Sequence, residues 1–298
     1  MSSTRVISHE FDCLRPGTLE EALRALEEEG AWVLAGGTDL VNAIKTNLVR
    51  PRLLVSALGI EELAALRWER GLTIGAAVRL RELELDERVR ARFPALAEAI
   101  RVIGGTQVRN MATLAGNLCN ASPGADTPPI LLALGAQVEI ASRAGKGGPR
   151  RQTMPLERFF TGPKRTVLGR GQMLAAVRLP EPSARCGAAF RRLARVSLDI
   201  AKINCAAWLE RDGERVVAAR VALGAVAPTP VRAPAVERAV LGRKAGRELF
   251  RAAAGQVGAD ITPISDVRST EAYRRQMAAV LVGEALEEAW SRAGGDAC

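Results

Sequence analysis

Apolar positions along the chain change period several times, and each change predicts an element. Leu19, Ala22, Leu23 and Leu26 recur at three- and four-residue steps on one helical face, and Thr18 with Glu21 reads as a capping box at its start. Gly30 is placed to end that helix. Trp32–Ala35 then predicts a short strand, Thr38 a cap for a helix through Ile44, and Leu53–Ser56 a second strand. Leu66–Trp68 and Leu72–Ile74 flank Glu69-Arg70-Gly71 and predict a hairpin. Pro94 suits the first position of a helix through Val102. Pro128-Pro129 opens an apolar helix ending near Gly135, and Gln137–Ser142 follows as a strand. The polar run 143–151, RAGKGGPRR, reads as a loop within a domain, because the strand-like stretch Met173–Leu179 comes soon after.

A sharper break falls at Pro180-Glu181-Pro182-Ser183. Beyond it Ala188–Ala194, Ala201–Glu210 and Arg215–Val226 predict three strands, with Asp212-Gly213 as the hairpin turn between the last two. From Pro234 the pattern is helical, ending in a long amphipathic helix from about Ser269 to Ala293. No internal repeat is present. The expected class is α+β: a mixed unit over 1–180, with parts at about 1–57 and 58–180, then a small sheet with helices over 184–298.

Composition narrows the field. The chain has 298 residues, 48% hydrophobic and 25% charged, enough for packed cores and unlike a disordered chain. Its apolar runs are too short or too interrupted to span a bilayer, and the first residues, MSSTRVISHEFD, do not read as a signal peptide. The cytoplasm is the expected compartment. The net charge is +9, but the arginines are scattered and aromatics are scarce, so no nucleic-acid-binding patch is expected. A partly basic docking face for an acidic partner stays open. The five cysteines (Cys13, Cys119, Cys186, Cys205 and Cys298) give no C-x-x-C, disulfide framework or cluster spacing. One histidine, His9, leaves no scope for a histidine metal site or a Ser-His-Asp triad. No metal site is expected on this chain.

The candidate chemistry lies in two glycine-rich stretches. The first is Leu34-Ala35-Gly36-Gly37-Thr38-Asp39-Leu40, and the second is GGTQVRNMATLAGNLCNASPGAD over 104–126. Both join glycine to hydroxyl and amide side chains. That composition supplies free N–H donors and lets the backbone approach a ligand closely, as phosphate oxygens require. Neither matches G-x-G-x-x-G or G-x-x-x-x-G-K-[ST]. Each feature also has a plainer reading. Gly36-Gly37 suits a strand-to-helix turn, Asn117 and Asn120 suit turns, Asp126 a helix cap, Phe159-Phe160 core packing, Arg109 a local pair, and Cys119 a small buried filler.

Taken together and in order, AGGTDL at 35–40, TIGAAVRLREL at 73–83, the 104–126 stretch, FFTGPKRT at 159–166 and ARVSLDIAKINCAAWLE at 194–210 resemble the FAD-binding medium subunit of the molybdenum hydroxylases, the xanthine dehydrogenase and carbon monoxide dehydrogenase family. The resemblance covers essentially the whole chain. It implies the two-subdomain FAD fold of the vanillyl-alcohol oxidase (PCMH) type, followed by a third domain of the CO dehydrogenase flavoprotein C-terminal type with a three-stranded sheet and helices. It also implies site residues. Leu34, Ala35, Gly36, Gly37, Thr38, Asp39 and Leu40 would hug the pyrophosphate. Gly104, Val108, Ala112 and Thr113 would line the adenine and phosphate side. Gly116, Asn117 and Asn120 would sit near the ribityl chain and isoalloxazine, and Asp126 would accept from ribityl hydroxyls. Leu174 and Arg191 would reach the cofactor from later in the chain.

The implied role is electron transfer, with no catalytic acid or base assigned. FAD is expected to be non-covalent, since His9 lies outside every motif. Molybdenum–pterin and [2Fe–2S] centres are expected only on a large and a small partner subunit, in a dimer of heterotrimers. The final acceptor would be NAD, a quinone, a cytochrome or oxygen. Two alternatives compete: a stand-alone FAD-dependent reductase or oxidase of the same fold, and a scaffold that has lost its flavin.

Overall fold

The computed structural model describes residues 7–145 and 148–294. Its first unit is a small parallel sheet. Strands β1 (Asp12–Leu14), β2 (Ala31–Leu34) and β3 (Leu53–Ser56) are ordered β1-β3-β2, connected through helices α1 (Leu19–Ala25) and α2 (Leu40–Lys45). Thr18 Oγ accepts from the Glu21 N–H at 3.2 Å and so caps α1, as expected. The Glu21 carboxylate reaches one residue further back than a capping box requires, accepting from the Gly17 N–H at 2.9 Å. Helix α1 ends at Ala25, before Gly30, whose φ of +77° instead forms the turn into β2. Helix α2 starts at Leu40 with Asp39 in the cap position and no side-chain cap bond, so Thr38 is not the cap. The Thr38 carbonyl instead accepts from Asn42 Nδ2 at 2.7 Å.

The second unit is a five-stranded antiparallel sheet, β4 (Leu66–Arg67), β5 (Gly71–Gly75), β6 (Gln137–Arg143), β7 (Pro149–Pro155) and β10 (Gln172–Pro180), ordered β4-β5-β10-β6-β7. The expected hairpin pairs Leu66 with Ile74. The run 143–151 is only partly a loop: its end opens β7, which pairs with β6 from Arg143–Pro149 to Gln137–Pro155. Charge hid this strand. Arg151 sits on an exposed edge strand, where Glu139 (2.6 Å) and Glu62 neutralise it. Lys146 and Gly147 lie outside the described residues.

Between β5 and β6 come α3 (Leu80–Leu85), α4 (Glu87–Arg92), α5 (Pro94–Arg101), α6 (Thr106–Arg109), α7 (Leu114–Cys119) and α8 (Thr127–Ala133). Before β10 a small two-stranded ribbon, β8 (Phe160–Gly162) and β9 (Arg165–Thr166), turns at Pro163-Lys164. Phe159 is fully buried and packs edge-on to Phe160, so this pair is core, as its plainer reading had it.

The third unit is an antiparallel sheet, β11 (Cys186–Leu193), β12 (Ile203–Asp212), β13 (Arg215–Gly224) and β14 (Val231–Arg232). It is four-stranded. The fourth strand, two residues long, was not legible as a periodic run. Strand β12 is buried on both faces from Ile203 to Leu209 because α8 packs on one side and α11 (Glu271–Arg292) on the other. A strand covered on both faces reads as an unbroken apolar run, which is how this segment appears in the sequence. Helices α9 (Pro234–Val240) and α10 (Arg247–Ala254) complete this unit with α11. Cys186 is disulfide-bonded, which the cysteine spacing did not suggest. No helix among the described residues is long and apolar enough to cross a membrane.

Candidate functional site: a dinucleotide cleft

The loops of all three units converge on one cavity of about 880 Å³, at the upper end of the range for small-molecule sites. The β2–α2 loop supplies one wall. Gly36 presses so closely on the second glycine-rich stretch that a Cβ there would overlap the carbonyl of Met111, so only glycine fits. Gly37 has φ of +72°. Among the described residues, the N–H groups of Gly37, Thr38 and Asp39 donate to no protein acceptor, which leaves donors available on this wall. Unsatisfied backbone donors beside a cavity require water or a ligand.

The second stretch supplies the opposite wall and is held from behind. Arg109 is 6% exposed and donates to Glu84 (Nε–Oε2 2.8 Å) and to the carbonyls of Ile103 (3.1 Å) and Gly104 (2.9 Å). Burial alone would raise the Glu84 carboxyl, but the hydrogen bonds from Arg109 and Arg81 outweigh it and hold it below the ordinary glutamate value. Arg109 therefore pairs locally and fixes the loop at Gly104, whose φ is +50°. Thr113 caps α7 by accepting from the Gly116 N–H at 3.0 Å. Thr127 donates to Asn117 Oδ1 at 2.6 Å, which orients that amide with its N–H₂ unspent. Asn120 is spent at both ends: its Nδ2 donates to Asp39 Oδ1 and its Oδ1 accepts from Lys164 Nζ, each at 2.9 Å.

Asp126 occupies the cap position of α8 but makes no cap bond. Its carboxylate instead accepts from Asn204 Nδ2 at 2.7 Å and Arg192 Nε at 3.1 Å. Asn204 and Arg192 are directly opposed on β12 and β11, so this cross-strand pair is one of the places where the third unit reaches the cleft. Burial pushes the Asp126 carboxyl above its ordinary value, and the Asn204 and Arg192 contacts only partly offset this. Burial likewise pushes the Cys119 thiol up to about 12, which leaves it an unreactive filler in the wall.

Ala35, Gly36, Gly37, Thr38, Asp39, Leu40, Gly104, Val108, Ala112, Thr113, Gly116, Asn117, Asn120, Asp126 and Leu174 all line this cavity. Two expected site residues do not. Leu34 is the last residue of β2 and its carbonyl bonds the Ala57 N–H at 2.9 Å. Arg191 faces away, pairing with Glu284 and Glu288 on α11. Its neighbour Arg192 faces in, because successive side chains on a strand point to opposite faces. Sequence reasoning missed Arg192 by one position. It also missed Lys164, Leu198, Asp199 and Ile200 in the lining, which arrive from the β8–β9 turn and the β11–β12 loop. Lys164 lay within the quoted FFTGPKRT motif, so the signal was present.

The lining fits a flavin dinucleotide. It combines unsatisfied amide donors, a glycine pressed against backbone, side-chain amides and hydroxyls, and apolar walls from Val33, Leu168, Met173 and Leu174. Among the described residues no three of His, Cys, Asp and Glu cluster as metal ligands.

Comparison with known proteins agrees with this geometry. Residues 9–182 match the FAD-binding domain of molybdopterin dehydrogenases, and residues 188–289 match the CO dehydrogenase flavoprotein C-terminal domain. The carbon monoxide dehydrogenase medium chain of Hydrogenophaga pseudoflava is 33% identical over 96% of this chain and 99% of its own length. The xanthine dehydrogenase FAD-binding subunit of Escherichia coli O157:H7 is 31% identical over 94% of this chain and 96% of its own. A solved structure of the Hydrogenophaga pseudoflava carbon monoxide dehydrogenase, in a form lacking the Mo-pyranopterin moiety, superposes with a TM-score of 0.90 over 96% of this chain and 99% of the matched one, at 34% identity. The chain belongs to the family of FAD-binding medium subunits of molybdenum hydroxylases, the oxidoreductases that include carbon monoxide and xanthine dehydrogenases.

Proposed function

We propose that this chain is the electron-transfer flavoprotein of a heterotrimeric molybdenum hydroxylase. It would take electrons from [2Fe–2S] clusters of a small subunit, fed by a large molybdenum–pterin subunit, and pass them to an external acceptor. The observation that carries the reading is the cleft itself, where Gly36 is pressed against the Met111 carbonyl and three consecutive loop amides are unspent. Such a cradle is costly unless a ligand completes it. Bound FAD would supply the exchange between one-electron clusters and the external acceptor, since a flavin can be filled one electron at a time and can give up two together. The chain's own residues bind and orient. Gly37, Thr38 and Asp39 present amides to the diphosphate, Thr113 stands on the adenine and phosphate side, Asn117 offers its amide near the ribityl chain, and Arg192 holds the Asp126 carboxylate in place as an acceptor for hydroxyls.

The attachment is non-covalent. The only histidine, His9, is absent from the lining, and Cys119 is held as a neutral thiol by burial. The division at 1–180 and 184–298 belongs to the same reading. It is supported by the gap between the two matched families and by the passage from β10, ending at Pro180, to β11, beginning at Cys186. The cytoplasm is the compartment we assign, and NAD, a quinone, a cytochrome or oxygen the acceptor class.

The test is an absorption spectrum of the protein purified from its native host, with chromatography of what acid releases. Free FAD, iron–sulfur absorbance and co-purifying large and small chains are expected. FAD on a chain that purifies alone would move the assignment to a stand-alone oxidoreductase. A colourless chain that takes up no added FAD would leave only a scaffold.

A further inference from the structure

We propose that Lys164 is the cation that receives the diphosphate of the bound dinucleotide, a positioning residue presented by the β8–β9 turn. The inference rests on the FAD reading above and adds to it the group that balances the ligand's charge. Five charged side chains line the cavity: Asp39, Asp126, Lys164, Arg192 and Asp199. Arg192 is already neutralised, with its Nε 3.1 Å from Asp126 and both side chains about nine-tenths buried. Asp199 is bound by Arg195 at 2.6 Å. Lys164 alone among the lining cations has no carboxylate within ion-pair distance among the described residues. A ligand with two phosphate charges entering this cleft therefore finds one unneutralised cation.

The backbone is bent to put it there. Lys164 has φ of +60° and its N–H donates to the Ala121 carbonyl at 2.9 Å, while Ala121 itself has φ of +44°. Two residues with a Cβ thus adopt the left-handed conformation on the two sides of one hydrogen bond. Such conformations persist where the surroundings impose them and cluster at binding sites. The ammonium then donates to Asn120 Oδ1, and Asn120 Nδ2 donates to Asp39 Oδ1. This chain of contacts ends on the loop whose Gly37, Thr38 and Asp39 amides are unspent. One ammonium N–H is used, which leaves two for a ligand. The same chain answers an electrostatic difficulty. The Asp39 carboxylate borders the phosphate-binding loop and would repel a dianion, and the neighbouring ammonium offsets it.

The experiment uses the full chain stripped of flavin, with FAD and riboflavin titrated into wild type, K164Q and K164R. The FAD titrations are repeated across a range of salt concentrations. In K164Q, FAD affinity is expected to fall roughly ten- to a hundredfold, as for loss of a charged hydrogen bond, with riboflavin affinity unchanged within about twofold. K164R, which keeps the charge, should retain FAD affinity within about threefold. The salt dependence of FAD binding should become shallower in K164Q. Equal losses for FAD and riboflavin would overturn the assignment, whether they came from the ring end or from a disturbed turn. An unchanged FAD affinity with an unchanged salt dependence would overturn it too. A wild-type chain that binds no FAD would instead overturn the FAD reading, and this inference with it.

Discussion

Arg109 illustrates how a single buried charge can set the shape of the stretch that contains it. Its guanidinium is held by Glu84, and its remaining donors fix the carbonyls of Ile103 and Gly104, where the second glycine-rich stretch begins. Removing it strands Glu84, 6% exposed, in a site built for a pair. Breaking a buried pair from one side is far more costly than the pair is worth. We expect R109M to lose about 3 kcal/mol in urea unfolding of the flavin-free chain, the lower end of the roughly 3–5 kcal/mol that breaking a buried pair costs, because Arg81 keeps a 2.9 Å contact to Glu84. Flavin affinity should fall with it. A variant as stable as wild type would show that the loop holds its shape without this pair. At this scale the sequence was legible by residue type and illegible by direction. Glycines, asparagines and Asp126 stood out by composition, but Arg191 and Arg192 are identical as letters. Only the register of β11 decides that Arg192 faces Asp126 while Arg191 faces α11.

At the scale of elements, the cleft depends on how closely the β2–α2 loop approaches the turn before α7. Gly36 has no room for even one carbon before the Met111 carbonyl, and backbone on both sides cannot yield as a side chain would. We expect G36A to cost about 1–3 kcal/mol by thermal or chemical unfolding and to purify with little flavin. G246A serves as the control, since its added Cβ would meet nothing within 4 Å and its φ of 171° suits any residue. If G36A retained a full complement of flavin, the tight approach would have no role in binding. Elements with strong period or strong caps were legible here: the Thr18 cap, the Pro94 start of α5 and the long α11 from Glu271 to Arg292 all lie where the pattern puts them. Those that depend on partners were not. Strand β7 is arginine-rich and exists because Glu139 and Glu62 meet Arg151, and β14 exists because β13 offers an edge. Neither partner is visible from within the segment.

At the scale of the molecule, the third unit packs its sheet on α5 and α8 through a shared apolar core, and a few polar contacts are added to it. Arg192 and Asn204 reach Asp126, Arg220 donates to the Ala133 carbonyl at the end of α8 at 2.6 Å, and Arg292 grips Glu98 at 2.7 Å. The Asp126 contact titrates. Burial raises its folded-state value above that of the unfolded chain, so the folded state holds its proton to higher pH. Stability from this group is therefore fully present below the ordinary aspartate value and declines as pH rises through the raised one. Urea unfolding of wild type and D126N at several pH values should show the wild type gaining on the variant as the pH falls through that window. A difference independent of pH would mean that Asp126 is not desolvated in solution.

By itself the sequence determined the class, the order of the units and the two glycine-rich stretches that line the cleft. All of these rest on local signals: period, caps, turn residues and glycine density act within a dozen residues. Only the tertiary structure decided which side chains meet. Lys164, Asn120 and Asp39 come from three segments and form one line of contacts, and Arg192 rather than Arg191 faces the cleft. Such pairings depend on register and on long-range packing, in which one residue's step turns a side chain from the cleft to the opposite face.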